Sequence, residues 1–199
     1  MARLSYRWAA VGAVLAISGT ACASGKGDDD AHSAAQVTYT RVAQLEPVHV
    51  SGDVFADMEE SSTSAAPHAL GEVTRGGKRI IAYVQGGSCG VMVVDAADVR
   101  HASLNLRSAW PTTGSEGSSD YPAGPYSSAR GAGSGTPGER ASIACSSNAM
   151  IIRYQAPDAG PAVRPVGHVT VREESDPRTT QLVVGSDAAR SEILGQLEQ

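Results

Sequence analysis

Arg79 to Asp95, R-I-I-A-Y-V-Q-G-G-S-C-G-V-M-V-V-D, is the stretch from which the rest of the chain can be read. Ile80, Ile81, Tyr83 and Val84 precede Gly86-Gly87, and Val91, Met92, Val93 and Val94 follow. Such β-branched, aromatic and large apolar residues suit a pleated, buried surface. The pattern predicts two strands turning at the glycines, with Cys89 where the second begins. The companion stretch, Ala141 to Gln155, carries Cys145 and predicts another hairpin across Ser146-Ser147-Asn148. A Cys89–Cys145 disulfide is expected to pin the two hairpins into one core, contributing about 4 kcal/mol by loop closure.

A chain of 199 residues is long enough for one domain with a sizeable core and too short for two large ones once an export signal is removed. Formal net charge is −5, and loss of Arg3 and Arg7 with such a signal takes it to −7. The remaining basic residues read as scattered along the chain, so nucleic acid is not an expected partner.

The third cysteine, Cys22, belongs to the N-terminus. Arg3 and Arg7 precede the apolar run 9–17, and the small residues Ser18, Gly19, Thr20 and Ala21 lead into Cys22. These are the parts of a signal peptide. The S-G-T-A-C motif resembles the lipobox of bacterial lipoproteins, in which the cysteine is lipidated and becomes the mature N-terminus. The resemblance covers residues 1–22 and implies a signal peptide over 1–21, acyl chains on Cys22, and a domain held outside the cytoplasm on the cell membrane. More than one acyl chain is needed for firm anchoring, and the lipoprotein modification supplies them. Two alternatives stay open. Secretory cleavage within Ala21-Cys22-Ala23 would release a secreted protein, and an uncleaved anchor would rest on the uncharged run 8–25. Gly25, Gly27 and Asp28-Asp29-Asp30 read as a solvated tether, giving an anchor and tether over 22–35 and a single β-rich domain over 36–199.

Within that domain, alternation predicts strands around Val37, Tyr39 and Val42, and around Val48, Val50, Val54 and Phe55; 57–67 reads as an exposed loop. His101 to Arg107 alternates cleanly, with Leu104 and Leu106 on one side. Residues 111–140 form a Gly/Ser/Pro-rich insert with little apolar mass, expected to lack regular structure. Its tyrosines, Tyr121 and Tyr126, are candidate contacts for a partner. Val166 to Arg172 and Thr180 to Val184 predict a third hairpin, and Ser186 caps a helix with Ile193, Leu194 and Leu197 on its apolar edge. The fold expected is mainly β, a small sandwich or partly closed barrel of antiparallel hairpins with a short C-terminal helix.

Catalytic signals are sparse. Gly86-Gly87-Ser88-Cys89-Gly90 matches G-x-S-x-G, which makes Ser88 a candidate nucleophile with His101 or His168 as base, but the nucleophile elbow needs a helix where Gly90 to Val94 reads as a strand. His32, His49, His68, His101 and His168 show no metal-ligand spacing, and Asp57, Glu59 and Glu60 lie in a Ser-rich run. Neither metal nor cofactor is expected. The function expected is a non-catalytic cell-envelope lipoprotein domain, binding an envelope protein or small ligand and touching the membrane through Cys22. The alternatives are a small secreted hydrolase using Ser88, or a structural or inhibitory protein presenting the 112–140 loop.

Overall fold

The computed structural model describes residues 37–56, 58, 65–112, 117–118, 120–157, 160 and 165–199. The signal peptide, Cys22, the tether, and Asp57, Glu59 and Glu60 lie outside them.

Among the described residues, ten strands form two antiparallel five-stranded sheets packed as a sandwich. They are β1 (His68–Arg75), β2 (Lys78–Gln85), β3 (Ser88–Asp95), β4 (Ala102–Ala109), β5 (Ser127–Ala132), β6 (Arg140–Cys145), β7 (Ala149–Gln155), β8 (Val166–Gly167), β9 (Val169–Glu173) and β10 (Thr179–Gly185). The first sheet runs β4-β3-β2-β1-β8 and the second β5-β6-β7-β10-β9. The first two predicted hairpins form, as β2–β3 and β6–β7; the third forms as β9–β10 from Val169 onward, while Val166 and Gly167, expected in the same strand, pair with β1 in the other sheet. The helix α1 (Asp187–Leu197) follows, its N-cap Ser186 accepting a hydrogen bond from the Ala189 amide. Among the described residues, no helix is long and apolar enough to cross a membrane.

The core lies between the sheets. Ile80, Ala82, Val84, Val91 and Val93 face Ile143, Met150, Ile152, Leu182 and Val184 in one cluster. The Cys89–Cys145 disulfide joins β3 to β6 across it, with the Cα atoms 5.8 Å apart. The alternate residues of β2 and β3, Ile81, Tyr83, Met92 and Val94, pack in a second cluster with Val48, Val50, Val54 and Phe55. Strands buried on both faces read as continuous apolar runs, which is why 79–95 stands out in the sequence. Tyr83 lies directly across from Gly90. A Cβ at Gly90 would meet the Tyr83 ring at 2.1 Å, so only glycine leaves room for the ring. The Tyr83 hydroxyl donates to Asn105 Oδ1 at 2.7 Å, and burial pushes its pKa up to about 12.

Three sequence expectations are corrected. No strand forms at 37–42, where extended backbone leads into a 3-10 turn, Val42–Gln44, that drops Val42 into the main core. None forms over 48–55 either. Pro47 has no N–H for a ladder, and this segment covers the first sheet with its side chains, its backbone bond to the sheet among the described residues running from Val48 N to Ala69 O. The insert 111–140 is not structureless throughout, since β5 and the start of β6 fall within it. Small residues hide a strand from periodicity, yet β5 pairs with β6 over six residues.

At the β4/β5 side, the Ser108 and Ser127 hydroxyls share a hydrogen bond at 2.8 Å, and the Ser134 amide donates to Ser103 O. At the other side the chain passes from β8 in the first sheet to β9 in the second through Gly167 and His168. Gly167 has φ of 87° and a Cβ there would lie 2.6 Å from Leu70 O. Glu139, 1% exposed, enters β6 with Oε1 accepting from Tyr154 Oη at 2.8 Å and Ser103 Oγ at 3.2 Å. Burial first, then this carboxylate, pushes the Tyr154 phenol up.

Candidate functional site

The outer face of the second sheet is built from two kinds of side chain. One half carries Ala149, Ile151 and Val183, over which α1 lays Ala189 and Ile193 and the segment before β5 lays Ala123 and Tyr126. In the other half Arg130 and Arg153 are exposed, while Gln181 is buried. Registration there sets Arg130 of β5 opposite Ser142 of β6, Ser142 opposite Arg153 of β7, Arg153 opposite Gln181 of β10, and Gln181 opposite Arg172 of β9. One row of the sheet thus carries three arginines, and a fourth, Arg140, stands two residues from Ser142 on β6.

Arg130, Arg140 and Arg153, with Ser142, Gln155, Glu174 and Thr179, line an open groove of about 640 Å³. Strands about 4.8 Å apart and a rise of about 3.4 Å per residue put the three arginine Cα atoms roughly 8 to 10 Å from one another, with Ser142 among them. Cα spacings of that size are within the combined reach of two arginine side chains. Arg130 and Arg140 have no hydrogen-bond or ion-pair partner among the described residues. Arg153 Nε donates to Glu174 Oε1 at 2.8 Å. Arg172 is committed elsewhere, to Gln181 Oε1 at 3.1 Å and to Leu197 O at 2.9 Å. Three guanidiniums against one carboxylate make the groove cationic on a chain of net charge −5. Planar forks of N–H donors match carboxylate and phosphate oxygens.

A smaller recess of about 200 Å³ continues from the groove, sharing Arg130, Ser142 and Arg153 and adding Asp120, Tyr121 and Tyr126. The two tyrosines fare differently from the sequence expectation. Tyr126 is 3% exposed, a core residue whose hydroxyl donates to Pro122 O at 2.5 Å. Tyr121 is half-buried, meets Tyr126 edge to face at 6.0 Å, and borders the recess.

Ser88 is not brought to a histidine. It is buried at the first position of β3, where the elbow would need a helix, and its Oγ donates to Gln85 O at 2.5 Å and accepts from Arg107 Nη2 at 3.0 Å. His101 pairs with exposed Asp98, and His168 Nε2 lies 3.0 Å from Glu46 O. Among the described residues, no three His, Cys, Asp or Glu side chains gather in a way that would hold a metal ion.

The sequence reading missed the arginine groove because its members are spread over 24 positions of sequence (Arg130, Arg140, Arg153), with β5 taken for loop. The signal was there in A-M-I-I-R-Y, where the outward positions of β7 change from Ala149 and Ile151 to Arg153. Compared with protein-family models, with curated proteins and with solved structures, the chain finds no match in any of the three.

Proposed function

We propose that the chain is a cell-envelope lipoprotein, processed to Cys22, lipidated there and held outside the cytoplasm by a short tether, whose β-sandwich is a non-catalytic binding domain for an anionic ligand. The observation that carries the binding half is the open arginine groove of the second sheet, where the Arg130 and Arg140 guanidiniums, without a partner among the described residues, stand beside Arg153. An interior disulfide supports an oxidising, extracytoplasmic compartment. The anchoring half rests on the lipobox-like S-G-T-A-C and the tether.

Two measurements test the two halves. Intact mass of the protein isolated from its native membrane is expected to give an N-terminus at Cys22 carrying diacylglyceryl mass; an unlipidated N-terminus after Ala23 would mean a secreted protein instead. Calorimetric titration of the intact protein with sodium tripolyphosphate is expected to show saturable binding that an Arg130→Ala/Arg140→Ala/Arg153→Ala variant loses. Equal binding by both proteins would remove the groove from the account.

A further inference from the structure

The groove and its recess differ in charge, and the difference bears on what kind of anion fits. At the groove end, Arg130, Arg140 and Arg153 surround Ser142, whose hydroxyl has no partner among the described residues. A tetrahedral group offering several oxygens meets this arrangement on three sides and from below. At the recess end stand Asp120 and Tyr121, lining the same recess as Arg130, Ser142 and Arg153. The Asp120 carboxylate takes no hydrogen bond among the described residues; Asp120 bonds through its backbone, from its amide to Ser118 Oγ and from Gln196 Nε2 to its carbonyl. A carboxylate repels a second anionic group and accepts hydrogen bonds from hydroxyls. A tyrosine ring beside it offers a flat apolar face.

We infer that the site takes a sugar or polyol phosphate, with the phosphoryl group among Arg130, Arg140, Arg153 and Ser142 and the hydroxylated part over Tyr121 and Asp120. This rests on the reading of the groove as an anion site and goes one step further, to the uncharged half of the ligand. Glu174 holds Arg153 through the guanidinium Nε and would compete with the phosphoryl group for it.

The test is equilibrium binding to the intact, unlipidated Cys22→Ser protein, with glucose 1-phosphate, inorganic phosphate and glucose as probes. Glucose 1-phosphate is expected to bind about tenfold more tightly than inorganic phosphate, the scale of one or two hydrogen bonds to a charged group, and glucose not to bind. Asp120→Asn and Tyr121→Ala should each weaken glucose 1-phosphate about fivefold or more without weakening inorganic phosphate. Asp120→Asn keeps the test alive if loss of the Tyr121 ring disturbs its packing on Tyr126. Arg140→Ala should weaken both phosphates about tenfold, Glu174→Gln should tighten both, and Arg100→Ala, outside the groove, should change neither. Phosphatidylglycerol vesicles present the same chemistry from a lipid, and glucose 1-phosphate is expected to release any protein they bind; failure to compete overturns the assignment. Equal affinity for the two phosphates, with Asp120→Asn silent, overturns the sugar or polyol half while leaving an anion site. If neither phosphate nor tripolyphosphate binds, the groove reading falls with it.

Discussion

The outer faces of the two sheets are finished in opposite ways. On the first sheet, Ile81, Tyr83, Met92 and Val94 are roofed by Val48, Val50, Val54, Phe55 and Val99. On the second, α1 and the segment before β5 roof Ala149, Ile151 and Val183, and the roof stops where β7 changes from Ile151 to Arg153. Side chains decide this boundary. An apolar outward residue gains from being covered, at roughly 25 cal/mol per Å² removed from water, while an arginine loses hydration unless it is paired. The exposed arginines are where the proposed anion site lies, and the covered faces contribute to stability.

The comparison is broken or sharpened by substitutions that act on one side of it. The largest effect belongs to neither roof. Cys89→Ala/Cys145→Ala, which uncouples the sheets, is expected to lower unfolding free energy by about 4 kcal/mol in urea titrations. Under a roof, Ile81→Ala should cost about 3 kcal/mol, and Ile151→Ala a comparable amount; a cost near zero for either would mean that the roof does not seal. Ser186→Ala, which removes the N-cap of the helix forming the second roof, should cost about 1 kcal/mol. On the open half, Arg130→Ala and Arg140→Ala should change stability by no more than about 0.5 kcal/mol while weakening anion binding.

Alkaline titration probes the first roof separately. The buried Tyr83 phenol is raised from 10 to about 12, so the folded state holds this proton more tightly than the unfolded chain. Its stabilising contribution is complete below pH 10 and is lost as pH rises from 10 to about 12. Tyr83→Phe should flatten the stability curve across that window, and an unchanged slope would place Tyr83 in contact with water.

Much of the architecture was legible because it depends on local pattern. The Gly86-Gly87 and Ser146 to Asn148 turns announced two hairpins, the alternation in 101–107 announced β4, and Ser186 with Ile193 announced α1. The cysteines located the join between the sheets. What was missed depends on partners distant in sequence. Val48 to Phe55 looks like a strand because it is apolar, and nothing local says that it caps a sheet without joining one. Ser127 to Ala132 looks like loop because small residues carry no pattern, and only its pairing with β6 makes it a strand. The arginine groove needs that strand, so it was invisible while β5 was. Tyr126 was misplaced for the same reason, its burial being set by α1 and β7.

The most direct test of the central claim is a map of backbone amide shifts in NMR spectra of the intact protein as sodium tripolyphosphate is added. The account predicts saturable shifts concentrated at 128–132, 140–144 and 151–155, the strands that carry Arg130, Arg140, Ser142 and Arg153. Shifts centred on the roofed first sheet, or spread evenly over the surface, would contradict it.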